Sequence, residues 1–447
     1  MKTGKITAAI LAVLMIAGLA GCNLRITADE LYRLPRASEE YLILQGQINA
    51  ILGEGAEFSP PISGPNRQAV QLKDLDGTGE NEVIAFFSVP GESTLKIYIF
   101  RFIDGDYVIA DIIEGVGTAI ESIRYVDMDG DGVTEMVIGW QAGAALKHMS
   151  IYSIRDFHQV SLAGAEYTEM AVHDLTGDGT DDVVVLRLPT PEIGAVAELF
   201  VLMPDGEMIR SEARLSEGIE AITRVLTGTL SDGVPAVFVE SEGRVDDYGG
   251  GMVTDILVYR DGGLVNVTIR TPSGISEATV RSRMRSADIL DDGRIMVPIP
   301  RLLLAQSETS YYAIDWYSFD SRGRSRLGLT TYHNHSDEWY LILPSDWRGR
   351  VSVRRESAVT SERTVVFSYI ACEDGRFEDF LKIHRLTGDM GRARANLPGR
   401  TVLRRVGAST YAFELMAEPN SFGLTFDADL IINNFRLIYS EWLMETR

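Results

Sequence analysis

The sequence predicts a mainly β fold, a β-propeller-like array of repeated antiparallel units, on three observations. Short loops rich in aspartate and glycine recur along the first two thirds of the chain. Each loop runs into a short apolar, β-branched or aromatic segment, which reads as a strand. Asp-Gly pairs at 104–105, 205–206 and 261–262 close further extended segments, and that dipeptide between alternating runs is a strong hairpin signal.

The loops carry the pattern. The first has Asp74, Asp76, Thr78 and Glu82 at loop positions 1, 3, 5 and 9; the second has Asp127, Asp129, Asp131 and Glu135; the third has Asp174, Thr176, Asp178 and Asp182. Position 6 is glycine in all three, at Gly79, Gly132 and Gly179, where the backbone must turn sharply. Two eroded copies start at Gly228 and Asp288; they keep Asp232-Gly233 and Asp292-Gly293 but replace positions 3 and 9 with Leu230, Ala236, Leu290 and Met296. The starts at 74, 127, 174, 228 and 288 give a period of about 50 to 60 residues, the length of a propeller blade of three to four strands. An array of six or seven blades is the expectation.

Oxygen ligands at that spacing suit calcium, a hard cation that gathers about six to eight oxygens at 2.3–2.6 Å. An EF-hand is excluded because it needs a glutamate at position 12 and flanking helices; here position 12 is Ala85, Ile138 and Val185. The strands expected after the loops span 83–87, 137–140 and 183–186. Those leading to the Asp-Gly turns span 96–102, 198–203 and 255–259.

These loops resemble the FG-GAP or VCBS-type repeats of integrin-like β-propellers, over roughly residues 60–325. The resemblance implies calcium bound within the blades at the three intact loops, where its role is to rigidify. The departures at Leu230, Ala236, Leu290 and Met296 leave metal in the last two copies open.

The N-terminus adds a location. Lys2 and Lys5 precede an apolar run ending in Leu19-Ala20-Gly21-Cys22. That run is short of the roughly 20 residues a membrane span needs and reads as an export signal. Leu-Ala-Gly-Cys resembles the bacterial lipobox, which implies diacylglycerol on the Cys22 sulfur, cleavage before it, and attachment to the outer face of the cell membrane. The chain has two cysteines, so acylation of Cys22 leaves Cys372 without a disulfide partner; Cys372 reads as a small buried residue.

The expected organisation is a signal peptide at 1–21, a lipidated linker and helix at 22–57, the repeats at 58–328, and a tail at 329–447. In the linker, Ser38 caps a helix with Glu39 and Glu40 in its first turn and Tyr41, Leu44, Ile48 and Ile51 on one face; Gly53 ends it. The helix is expected to pack on the first unit. The tail is read as further blades or a small α+β domain, with strands at 340–343, 351–354 and 365–370. Helical character is expected at 377–383, and segments 382–386 and 411–415 are expected to pair.

Composition bounds partners. With 42 basic and 64 acidic residues the net charge is −22, which argues against nucleic acid. Arginines cluster at Arg281, Arg283, Arg285 and at Arg348, Arg350, Arg354, Arg355, a pattern that usually marks a solvated strand face. His333 and His335 share a strand face and with Asp337 or Glu338 would suit zinc; a polar turn before the strand at 339–343 accounts for the same residues. Trp140, Trp316, Trp339 and Trp347 at strand positions read as core rather than a sugar platform. No nucleophile elbow, zinc-protease helix or phosphate loop is present. The expected function is a lipid-anchored, cell-surface binding or scaffold protein for an extracellular protein or glycan; the alternative is a surface enzyme or glycan-handling module with its active groups in the tail.

Overall fold

The computed structural model describes residues 39–438, apart from 90, 92–93, 144–145, 156–157, 246–249, 271, 305, 307–308, 360, 371–375 and 389. Cys22, Ser38 and Cys372 lie outside the described residues. Among those residues, no helix is long and apolar enough to cross a membrane.

The described residues form six antiparallel sheets that follow one another in sequence. The first contains Val70–Lys73, Glu82–Ser88, Leu95–Ile103 and Asp106–Glu114, with the short Glu57–Phe58 strand beside Glu82–Ser88. The second runs Ala119–Val126, Glu135–Gln141, Lys147–Arg155, His158–Tyr167, and the third Glu169–His173, Asp182–Arg187, Val196–Leu202, Met208–Arg214. The fourth runs Ile219–Thr229, Pro235–Gly243, Gly251–Arg260, Gly263–Asn266. Apart from Glu57–Phe58, each of these is a meander in which every strand pairs with the next, so that no long crossovers are needed. The strands expected after the three loops are all present, each two or three residues longer than anticipated.

Consecutive sheets share cores because each second strand is buried on both faces, which is why these segments read as unbroken apolar runs. In Glu82–Ser88, Ile84 and Phe86 pack with Ile123, Ile138 and Trp140 of the second sheet, while Val83, Ala85 and Phe87 point the other way. Val137 and Ile151 then meet Val183, Val185 and Phe200; Val184 and Leu199 meet Val237, Val239 and Leu257; Phe238 and Ile256 meet Val297 and Phe319. The outer face of the first sheet is covered by the helix Glu39–Gly53 through Leu44 and Ile48, as the heptad-like spacing requires. Tyr41, assigned to the same face, is instead 54% exposed. Among the described residues no hydrophobic cluster joins the sixth sheet to the first.

The C-terminal third continues the pattern. The fifth sheet holds Val297–Leu302, Tyr312–Phe319, Ser325–Asn334 and Trp339–Leu343, and receives Phe435–Leu437 from the end of the chain. The sixth holds Val351–Val359, Glu362–Ile370, Phe377–Thr387, Ser409–Leu415 and Arg400–Val406. The boundary expected between 328 and 329 falls inside Ser325–Asn334, a strand bonded to both its neighbours, and one core runs from Tyr332 and Trp339 to Phe367 and Leu381 across the two sheets. Segments 382–386 and 411–415 do pair, Lys382 opposite Glu414 and Leu386 opposite Thr410. The helical character expected at 377–383 is replaced by the strand Phe377–Thr387. Two short helices, Gly391–Ala395 and Ala428–Asn434, complete the tail; the second is capped by the Asp427 side chain, which accepts from Leu430 N.

All four tryptophans at issue are at most 3% exposed and belong to the core. The first arginine cluster departs from a solvated face: Arg281 has no exposed side-chain surface and bridges Glu240 at 2.8 Å. Glu240 also accepts from Ser286 N at 2.5 Å. Burial draws the Arg281 guanidinium down to about 10, against the pull of Glu240.

Candidate metal centres

The three intact loops join the first two strands of the first three sheets, and one hydrogen-bond scheme builds all of them. The position-1 aspartate accepts from the position-6 glycine: Asp74 from Gly79 N at 2.8 Å, Asp127 from Gly132 N at 3.0 Å, Asp174 from Gly179 N at 3.0 Å. The position-9 acid reaches back to the position-2 amide: Glu82 to Leu75 N, Glu135 to Met128 N and Asp182 to Leu175 N, each at 2.9 Å. One carboxylate oxygen of each position-9 acid is thereby pinned.

In the first two loops the acids converge. One carboxylate oxygen each from Asp74, Asp76 and Glu82 lie within 4.8 Å of one another, as do oxygens from Asp127, Asp129 and Glu135. Among the described residues these two are the groups that do so; the third loop's acids are held apart. Asp174 Oδ1 there accepts from Gly177 N at 2.6 Å and Asp178 N at 3.2 Å, and Asp182 Oδ2 takes a second amide, from Thr176 at 2.9 Å. Thr78 and Asp131, at position 5, accept from the amides two residues on, Glu80 at 3.5 Å and Val133 at 2.8 Å. Asp178 does the same with Thr180 N at 3.0 Å.

Several interior oxygens lack a partner. Asp74 Oδ1, Glu82 Oε1 and Asp182 Oδ1 are buried with no hydrogen bond among the described residues. Burial raises the Glu135 carboxyl to about 7, with the charges of Asp129 and Asp131 adding to the rise. Asp182 rises to about 6, again chiefly from burial, and Glu82 and Asp129 are raised for the same first reason. Desolvation opposes the lowering of Asp76, but hydrogen bonds from Thr78 and Arg101 outweigh it.

Basic and polar groups from the third strand of each sheet join the first two loops, and sequence spacing alone did not reveal them. Arg101 bridges Asp76 and lies 3.9 Å from Glu82. Arg155 reaches Asp131 at 3.1 Å and Asp129 at 3.6 Å, and Ser153 donates to Glu135 at 3.0 Å. The available signal is register, since Val83 lies opposite Phe100 and so sets Glu82 beside Arg101.

The loops also touch. Thr134 N of the second donates to Leu75 O of the first at 2.9 Å, and Gly130 of the second approaches the Thr180 methyl of the third at 3.5 Å from a built Cβ. The eroded Asp288 copy keeps the scaffold without the ligands: Asp288 accepts from Gly293 N at 2.7 Å, and Gly293 O accepts from Thr229 N of the Gly228 copy at 2.9 Å.

The histidine pair does not assemble with acids. The rings of His333 and His335 lie 5.4 Å apart, and His333 stacks on Tyr340 at 5.0 Å. Asp337 is engaged elsewhere, by Arg363 at 2.6 Å and Asn334 at 2.8 Å.

No family model matches the chain, and no curated protein matches it. Among solved structures, it is similar to a rhamnogalacturonan lyase at 12% identity, over 78% of this chain and 61% of the lyase, with a TM-score of 0.29. It is also similar to a hypothetical selenium-binding protein from Sulfolobus tokodaii at 10% identity, over 72% of this chain and 92% of that one, with a TM-score of 0.23. The chain spans less than two thirds of the lyase, and at these TM-scores neither likeness bears on activity.

Proposed function

We propose that the chain is a lipid-anchored, extracytoplasmic binding or scaffold protein, a six-bladed propeller-like array stiffened by calcium. The observation that carries this reading is the repeated loop scaffold, which leaves buried carboxylate oxygens of Asp74, Glu82 and Asp182 without hydrogen-bond partners among the described residues. An unpaired buried anionic oxygen costs more than the roughly 1–3 kcal/mol of a neutral unsatisfied group, and a divalent cation removes that cost. Asp74, Asp76 and Glu82 would hold one ion and Asp127, Asp129 and Glu135 another, with Thr78, Asp131 and loop carbonyls completing the set. The third loop, Asp174, Thr176, Asp178 and Asp182, is the weaker site because its acids do not converge as those of the first two loops do. Calcium here supports the fold, and the lipid on Cys22 supplies the attachment.

Two measurements test the reading. EGTA is expected to lower the melting temperature by several degrees, and calcium to restore it; an unchanged melting curve overturns the calcium role. Cys22→Ser is expected to move the protein from the membrane to the soluble fraction, and continued membrane retention removes the lipid anchor from the proposal.

A further inference from the structure

Against the fifth sheet lies a cavity of about 370 Å³ lined by Tyr311, Tyr312, Tyr332, His333 and His335, with Arg355 reaching it from the sixth sheet, and with no carboxylate among its lining residues. The arginines around it are neutralised: Arg354 by Asp379 at 2.5 Å, Arg348 by Asp315 at 2.9 Å, and Arg363 by Asp337 at 2.6 Å. Arg355 has no acidic partner among the described residues; its guanidinium lies 5.5 Å from the centre of the Tyr311 ring and 3.5 Å from Ser336 Oγ.

Tyr332 lines the same cavity while only 1% exposed; burial raises its hydroxyl, and the neighbouring Arg355 guanidinium pulls it back. Burial lowers His333 to about 3 and lowers His335 as well, so near pH 7 both imidazoles are neutral and Arg355 is the cation of the cavity.

We infer that this cavity binds a sugar ring carrying one carboxylate, with the carboxylate on Arg355 and the ring against Tyr311 and Tyr312. A planar guanidinium presents a fork that matches a carboxylate. Tyrosine faces give a sugar apolar contact, while hydroxyl and imidazole groups of the lining meet its own hydroxyls. The volume lies at the small end of the range for ligand pockets, about 300–1,000 Å³, and suits one or two rings. The inference rests on the binding-protein reading for its ligand class alone; it uses neither the calcium loops nor the anchor, so failure of one leaves the other standing.

The test is calorimetric titration of the full chain in detergent, at pH 7.5 and saturating calcium, with D-glucuronate, D-glucose, benzoate and an oligosaccharide ending in glucuronate. Saturable glucuronate binding is expected, with glucose weaker by about tenfold or more, the loss of one charge-assisted hydrogen-bonded pair. Arg355→Gln should weaken glucuronate by a similar factor at an unchanged melting temperature. Arg355→Lys, which keeps the charge and loses the fork, should fall between. Tighter binding of the oligosaccharide assigns the cavity to polymer ends, and equal binding assigns it to the free sugar. Four results overturn the inference: no saturable uronate binding, equal affinity for glucose, equal affinity for benzoate, or full affinity in Arg355→Gln.

Discussion

Single carboxylates set the pH behaviour of this protein. Glu135 is raised to about 7 from an ordinary 4.5, first by burial and then by Asp129 and Asp131. The folded state therefore holds a proton that the unfolded state releases, and its contribution is fully present below pH 4.5 and is lost as pH rises through about 7. At about 1.4 kcal/mol per pKa unit this is of order 3 kcal/mol, and Asp182, raised to about 6, adds a smaller loss in the same direction. In EGTA the melting temperature should fall between pH 5 and pH 7.5; in calcium the fall should be abolished, because the cation takes the place of the proton. A calcium-free melting temperature that rises over that interval contradicts the assignment.

Legibility at this scale follows from distance along the chain. Every loop acid was visible because its partners sit within nine positions. Arg281 was not, because its partner Glu240 lies 41 residues away and nothing local distinguishes a buried guanidinium from a solvated one. The same limit hid Arg101 and Arg155, which reach the loops across a strand pairing.

Elements meet at the loops, and two glycines separate local conformation from contact. Gly77 has φ +70°, and a Cβ there would sit 2.5 Å from Gly132 O of the next loop; Gly79 has φ +87° with open space around it. Gly79→Ala should cost only the left-handed strain, about 1–2 kcal/mol. Gly77→Ala should cost clearly more and weaken calcium binding at both loops, since it pushes the first away from the second. Equal melting temperatures for the two variants would show that the contact carries nothing.

Where the apolar period is clean, as in Glu39–Gly53 and Glu82–Ser88, it matches the element formed. The exception is Phe377–Thr387, where Phe377, Phe380 and Leu381 follow a helical spacing. In the sheet, Phe367 faces Leu381 while Ser368 faces Asp379, so Phe380 is an extra residue at a β-bulge and two adjacent apolar side chains turn inward. A bulge breaks the two-residue period and imitates the helical one. The helix Glu39–Gly53 was legible from Leu44 and Ile48, four apart, both on the first sheet.

Across the whole molecule, each of the first four sheets is made from one continuous stretch, whereas the fifth is finished by Phe435–Leu437 after the chain has built the sixth. Phe435 is 2% exposed, packs 5.6 Å from both the Trp339 and Tyr411 rings, and so ties the two sheets together. Phe435→Ala should cost about 3–5 kcal/mol, with amide protection lost in the fifth and sixth sheets and kept in the first three. Uniform loss through all six sheets would mean that the molecule opens as one unit. The expected division at 328 and 329 was drawn where the aspartate loops stop; pairing continues through that point because sheet formation depends on apolar register, which the loops do not report.

That returning strand also sets an order in time. Contacts in the first four sheets join residues close in sequence, which favours rapid local closure, so these sheets can form one after another as the polypeptide becomes available from its N-terminal end. The fifth sheet must wait for residue 437, and until then the free edge of Trp339–Leu343 offers unpaired backbone groups of the kind that recruit other chains. The interval between synthesis of Leu343 and arrival of Phe435 is thus the period in which a nascent molecule is most exposed to misassembly.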